Sequence, residues 1–462
     1  MTSQPALGRI RRLAVLALMA TGFMLPLRAA QFKAGVARVD ITPATPEPLY
    51  GYMNRTARAT GTLDPLFARV LVLEAGGKRL ALVTLDLGRV FGAVSLERLR
   101  DAARKQGIPH LIMTASHTHA GPNILDEYPH GRIPEWEKQA LEKVAAALAE
   151  AREHLVSVRL GTGYGVTYIG YNRRRINPDG SVTMFWRNDT KVSTAPVDPT
   201  VGVLRLDTLD GNPLAILVNY ACHPVIFGPD NLEYSADYVG VMCKTVEAGI
   251  AGRLLCLFFQ GADGDINPYY ATTPRAEGAV TRRDWTGQHL GEEAARVAKS
   301  IKTQATADVS CDFAEEELTF QVRWDPERFR AGLLQSYGPR VFEDHAELLQ
   351  NEPVPHQLNL SVTGLLLNRR IAFMSMPGEP FVQFQMNWRD RCPVRDCFFI
   401  GYANGYFDYF PTLQAATQGG YGAADSNTYV EVGAGERMVD AGLTLIYRML
   451  GQLTSLPENT RK

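Results

Sequence analysis

The chain has 462 residues, 45% of them hydrophobic, enough to bury one large core or two moderate ones. Lys plus Arg number 48 against 49 Asp plus Glu, and no basic run alternates with aromatics. A phosphate backbone therefore has no electrostatic footprint here, and nucleic acid is excluded as a ligand.

At the amino terminus, Arg9, Arg11 and Arg12 precede an apolar run over 13–27, and the small pair Ala29-Ala30 follows. This is the order of a secretory signal peptide over 1–30, cleaved near Ala29 or Ala30. Pro26 interrupts the run, which falls short of the roughly 20 residues that span a bilayer and so argues against an anchor. Losing residues 1–29 removes four arginines and no acids, moving the net charge from −1 to −5. The expected product is exported, periplasmic or secreted, with no stable transmembrane segment after cleavage. Export permits disulfides, and Cys392 and Cys397 are the only pair close enough in sequence to suggest a local bridge. Cys222, Cys243 and Cys256 sit in apolar contexts that suit buried thiols, and none of the six has the paired spacing of a thiolate zinc site.

Beyond the leader, short apolar strands alternate with amphipathic helices. Strands are expected over 36–41, 68–73 and 80–85, then a helix over 95–105 capped by Ser95, a strand over 110–114 and a helix over 134–153 with Pro134 at its start. The turn-rich segment 161–199 reads as a long excursion over one face and a place for substrate contacts. Strands at 201–206 and 214–220, a helix at 236–250, a strand at 254–259 and a helix at 287–302 follow. A helix over 326–351, strands at 357–366, 371–376 and 397–402, and a helix over 435–450 complete the series. No repeat, low-complexity tract or linker breaks it. The pattern predicts an α/β fold of mixed sheets covered by helices, one large catalytic domain over 31–462.

Residues that could carry chemistry cluster where the apolar strands stop. His117 and His119 follow the strand at 110–114, two residues apart, so that the strand period would return both to one face. Such a pair can supply neutral nitrogens to a divalent metal, most plausibly zinc, or can be a packed, hydrogen-bonded pair. His223 ends the strand at 214–220 in the same way, as either a buried histidine or a ligand, and two such endings suggest convergence on one rim. Glu379, in the turn Pro377-Gly378-Glu379-Pro380, is either the missing anion or an acid favoured by a helix dipole. Tyr406 and Tyr409 follow the next strand and are packing residues or site phenols.

These motifs occur in an order that resembles the amino-terminal catalytic domain of the neutral/alkaline non-lysosomal ceramidase family, zinc amidases that cut the N-acyl bond of ceramide. The resemblance runs from Val39-Asp40-Ile41-Thr42-Pro43 through Gly51-Tyr52, Arg69, Asp86, His117-Thr118-His119-Ala120-Gly121-Pro122, Asn172-Arg173, His223-Pro224, Ser235-Ala236-Asp237, Gly264-Asp265 and Pro377-Gly378-Glu379 to Tyr406 and Tyr409. It implies one zinc per chain, held by His117, His223, Glu379 and Tyr409, with His119 either supporting those ligands from behind or facing substrate, and Arg173 contacting the substrate region. Two imidazoles and a carboxylate leave room for a water whose pKa the metal lowers. Two features depart from the family. Asn267 stands in Gly264-Asp265-Ile266-Asn267-Pro268 where the family motif carries a serine, and an amide can donate to an oxyanion but cannot be acylated. The chain is also expected to lack the family's immunoglobulin-like carboxy-terminal domain.

The expectation is thus an exported zinc hydrolase of a linear amide, with a small-molecule or lipid N-acylated amine as substrate, in which His119 and Arg173 orient the substrate and Asn267 or Tyr409 stabilises the oxyanion. An esterase, lactonase or carbohydrate-directed hydrolase on the same metal is the alternative, because Arg173, Arg174 and Arg175 in the arm 171–179 would suit an acidic or polyhydroxylated ligand unless they form a solvated basic face. A non-catalytic binding protein with this fold is the third reading.

Overall fold

A computed structural model describes residues 31–126, 128, 131–306, 309–337 and 354–453. The expected leader and the far end of the helix expected over 326–351 lie outside these residues. Among the described residues no helix is long and apolar enough to cross a membrane.

Strands β1 (Lys33–Asp40), β2 (Phe67–Ala75), β3 (Lys78–Leu85), β4 (His110–Ala115), β5 (Val156–Val166), β6 (Thr200–Thr208), β7 (Pro213–Tyr220) and β8 (Leu255–Gln260) form an eight-stranded sheet ordered β8-β7-β6-β5-β1-β2-β3-β4. A second sheet holds β9 (Cys311–Gln321), β10 (Gln357–Leu367), β11 (Ile371–Ser375) and β12 (Asp396–Ile400), in that order. Strands such as β2, β3, β7 and β8 are buried on both faces, which is why they read as nearly continuous aliphatic runs. Leu71, Leu73, Leu80 and Leu82 point inward to a core shared with Leu365, Leu367 and Phe373 of the second sheet. Their neighbours Val70, Val72, Ala81 and Val83 point outward, under α1 (Ala93–Lys105) and α2 (Glu135–Glu153). The other half of the large sheet is covered by α3 (Asp237–Gly249) and α4 (Ala279–Ser300). Beyond the short α5 (Pro326–Tyr337), helices α6 (Val382–Arg391) and α8 (Ala434–Met449) cover the second sheet, with α7 (Leu413–Gln418) between them in sequence. The expected mixed α/β fold is the observed one, as four layers with helices outside.

The sequence shows no repeat, yet the topology does. One pattern, three strands, a helix, a strand and a helix, is traced by β1-β2-β3-α1-β4-α2, by β5-β6-β7-α3-β8-α4 and by β9-β10-β11-α6-β12-α8, the last with α5 and α7 inserted. In each unit the first three strands are antiparallel and the fourth returns parallel to the third, as β3 with β4, β7 with β8 and β11 with β12. Units one and two join edge to edge through β1 and β5.

Four local expectations are corrected. Residues 161–166 are not the start of an excursion but the second half of β5, inside the sheet. Gly161, Gly163 and Gly165, which signalled turns, are instead the flat face on which α4 rests: a Cβ at Gly163 would lie 2.9 Å from Ile301 Cγ1 and 3.0 Å from Val297 Cγ1. Helix α4 begins at Ala279 and not at 287, because Gly287 marks no boundary but the crossing with α3, where a Cβ would meet Tyr238 O at 2.5 Å. Ser95 does not cap α1, which starts at Ala93; its hydroxyl donates to Glu137 Oε1 at 2.6 Å. All six cysteines are free thiols, so Cys392 and Cys397 form no bridge, while Cys222, Cys243 and Cys256 are buried as expected.

Candidate metal centre

Each unit delivers its parallel pair to the same place, and the three ends are stitched together. Gln260 at the end of β8 donates to Ser116 O (2.9 Å) beyond β4 and to Cys222 O (3.0 Å) beyond β7. The Thr114 hydroxyl of β4 donates to Gly401 O (2.8 Å) beyond β12, and Gly401 N returns a bond to Gln260 O (2.9 Å). Backbone that would otherwise fray is thereby paired among three units.

Immediately past these ends stand His117 from unit one, His223 from unit two and Glu379 from unit three. Their ligating atoms lie within 4.8 Å of one another, and all three side chains are buried. His117 Nδ1 is 2.6 Å from Gly88 O, and His223 Nδ1 is 2.7 Å from Asp263 O. A carbonyl only accepts, so both Nδ1 atoms carry a proton, and in the neutral ring each Nε2 presents a lone pair to the centre. There they face lone pairs: His223 Nε2 is 3.2 Å from Glu379 Oε2, and His117 Nε2 is 3.5 Å from Glu379 Oε1. Burial pushes the His117 imidazole down to about 4, against the pull of Glu379, so it is neutral at pH 7. Neutral imidazole lone pairs aimed at a buried carboxylate repel unless a cation lies among them. The donor set, two nitrogens and a carboxylate, can hold a divalent metal and leave a coordination position open.

The surrounding groups fix this arrangement. Tyr406 lies against Glu379 Oε1 and 2.6 Å from Asp408 Oδ1, and accepts from Tyr50 at 2.7 Å. Tyr402 stacks on His117 at 4.3 Å and donates to Asp263 Oδ1 at 2.6 Å. Burial pushes the Asp263 carboxyl up to about 7.

The other expected residues are distributed around this centre. His119 reaches His117, Nε2 to Nε2 at 3.2 Å, but not by strand periodicity: β4 stops at Ala115, and His117 takes a left-handed φ of 70° that turns the chain. Gly51, at φ 102°, lies so close that its Cβ would sit 2.2 Å from His119 Nδ1. Tyr409 pairs with Glu379 in a short parallel bridge, and its hydroxyl contacts that carboxylate. Arg173 Nη2 donates to Tyr409 OH (3.0 Å) and to Gly264 O (2.7 Å), and Nη1 to Asn267 Oδ1 (3.2 Å). Asn267 therefore touches Arg173 and not the three converging ligands. Asp263 and Tyr402 escaped the sequence reading, although each stands just past the fourth strand of its unit, the position that His117 occupies in the first.

The family model of the neutral/alkaline non-lysosomal ceramidase amino-terminal domain matches residues 32–301, more than half of the chain. The chain belongs to that family. A neutral ceramidase of Drosophila pseudoobscura is 25% identical over 281 residues, 56% of this chain and 39% of the fly protein. One from Pseudomonas aeruginosa is 26% identical over 235 residues, 46% of this chain and 34% of the relative. The chain thus covers less than two-fifths of the length of these curated relatives. The crystal structure of a neutral ceramidase from Pseudomonas aeruginosa shares the fold, with a TM-score of 0.71 at 18% identity, over 92% of this chain and 76% of that one. The family match contains His117, His119, Arg173, His223 and Asn267, whereas Glu379 and Tyr409 lie in the third unit beyond it.

Proposed function

We propose that this chain is an exported zinc-dependent amidohydrolase that cleaves a linear N-acyl amide, with ceramide or another N-acylated amine as substrate, by activated water. The observation that carries the reading is the meeting of two imidazoles and a carboxylate at a buried point, each ring turning its Nδ1–H outward to a backbone carbonyl. The names of the curated relatives, neutral ceramidases, supply the bond and substrate class. Export rests on the arginines and apolar run at the amino terminus.

In this reading His117, His223 and Glu379 hold one zinc, with Tyr409 as a fourth, weaker donor. A zinc ion in such a set lowers the pKa of water and polarises a carbonyl. His119, anchored by burial beside His117, meets the substrate on the side that Tyr52 closes at 5.0 Å. Arg173 holds the Tyr409 hydroxyl toward the carbonyl oxygen, and Asn267 fixes the guanidinium's position by accepting from Nη1. An amide in place of the family serine leaves no hydroxyl to acylate, which suits direct attack by water.

Metal analysis of the wild type and of His117→Ala and His223→Ala tests the centre: about one zinc per chain is expected, lost in each variant. Acid release from N-acyl amides, set beside matched esters and lactones, tests the bond. A metal-free wild type would refute the reading, and ester or lactone turnover without amide turnover would replace it.

A further inference from the structure

We propose that the half-exposed Trp186 is the wall along which the substrate's aliphatic chain lies, so that the site takes long-chain acyl amides and not acidic or polyhydroxylated ones. This deepens the amide-hydrolase reading and rests on it. The arm 171–179 carries three consecutive arginines, which would favour an anionic ligand if they faced the site. Two of them do not. Arg173 is 5% exposed, committed to Asn267, Gly264 O and Tyr409, and ringed by Trp186, Tyr409 and Tyr421 at 5.3–5.5 Å. Arg174, 4% exposed, turns its guanidinium to Gly419 O and Ala415 O. Of the three arginines only Arg175 is exposed, and what the side beside Tyr409 offers a ligand is aromatic.

The aromatic surface has a direction. Tyr409, whose hydroxyl contacts Glu379, meets Tyr421 at 5.4 Å, and Tyr421 meets Trp186 edge-on at 5.3 Å. The row leads outward from the ligands to an indole that is 45% exposed, with its N–H unbonded among the described residues. A large exposed ring is informative when it is held rigidly, since a rigid ring binds apolar groups at little ordering cost. Trp186 is held on both sides. Phe185 N donates to Arg173 O (2.7 Å), Asn267 Nδ2 approaches Trp186 O (3.4 Å), and the Asn188 side chain closes a turn on Val192. Lys191 then anchors that turn with its ammonium 4.0 Å above the ring of Trp285.

Two measurements test the assignment. Protein as purified is titrated with a dibrominated C18 fatty acid, whose bromines quench an indole they touch. Saturable quenching is expected in the wild type and not in Trp186→Phe; equal quenching in both, or none in either, overturns the proposal. In turnover, the ratio of kcat/KM for a C16 amide to that for its acetyl analogue should fall about tenfold in Trp186→Ala, the scale set by losing a few tens of Å² of apolar contact. An unchanged ratio overturns the proposal. If no amide of any length is hydrolysed, the amide-hydrolase reading fails on its own, and the quenching still decides the place of Trp186.

Discussion

Replacing Tyr406 by Phe asks whether Glu379 is held in place for an ion. The ring keeps its packing, at 6.4 Å from His117 and 4.7 Å from the Arg89 guanidinium, and only an oxygen is lost. That oxygen has one proton to give and two buried acids beside it, Glu379 and Asp408, and it receives the proton of Tyr50. Without it, Glu379 Oε1 loses a donor and is free to turn away from His117 Nε2, 3.5 Å off. Removing a group that orients a ligand typically costs 10–100-fold in metal affinity, or about 1.4–2.8 kcal/mol. Competition against a chromophoric zinc chelator reads this directly, and circular dichroism confirms that the fold is kept. Tyr50→Phe, one hydroxyl further out, should cost less than about threefold by the same argument. The reasoning fails if natively folded Tyr406→Phe binds zinc as tightly as the wild type, or if Tyr50→Phe costs as much.

Arg69 and Asp86 form a buried pair, both oxygens of the acid 2.8 Å from Arg69 Nη1 and one accepting Phe67 N at 2.9 Å. Asp86→Ala strands the guanidinium and should cost about 3–5 kcal/mol in urea unfolding, while the double variant Arg69→Met with Asp86→Leu should recover at least half; a double variant no better than the single would show that the charge is not the cause. Gly51→Ala drives a methyl into His119 at a left-handed φ, and amide turnover should fall at least tenfold with zinc content unchanged. Loss of zinc would place His119 among the ligands instead. Burial raises the Asp237 carboxyl from 3.8 to about 6, against bonds from Tyr238 N and Phe227 N. A raised acid favours the fold below its unfolded pKa, and that contribution is lost as pH climbs through the folded one. Stability should therefore fall by about 3 kcal/mol between pH 4 and 6 from this group, and Asp237→Asn should flatten that part of the profile. A slope unchanged in the variant would assign it elsewhere.

The candidate ligands were legible because each ends an apolar strand with a residue that hydrocarbon cannot explain, and His117, His223 and Glu379 meet as their positions suggest. The stitching of the three ends was not legible, since Gln260, Thr114 and Gly401 are ordinary residues whose bonds join parts of the chain up to 287 positions apart. Gly161, Gly163 and Gly165 misled because a glycine that admits a helix looks the same in sequence as one that makes a turn. Strand β9 was missed because its acidic, half-exposed run at the edge of the smaller sheet lacks the aliphatic core signal. The thrice-used topology was hidden for a related reason: what recurs is the order of pairing, which many side chains satisfy.

That topology bears on where this chain can be cut. The family match closes at residue 301, directly after the last helix of the second unit. A fragment trimmed to that border would look complete by sequence and would keep both histidines with their carbonyl partners. It would lack every anionic ligand, and the aliphatic inner face of its sheet, Leu71, Leu73, Leu80 and Leu82 among others, would be bare to water. An ion bound at this centre is therefore a fastener across three separately wound pieces of chain, and its presence certifies that the third has docked.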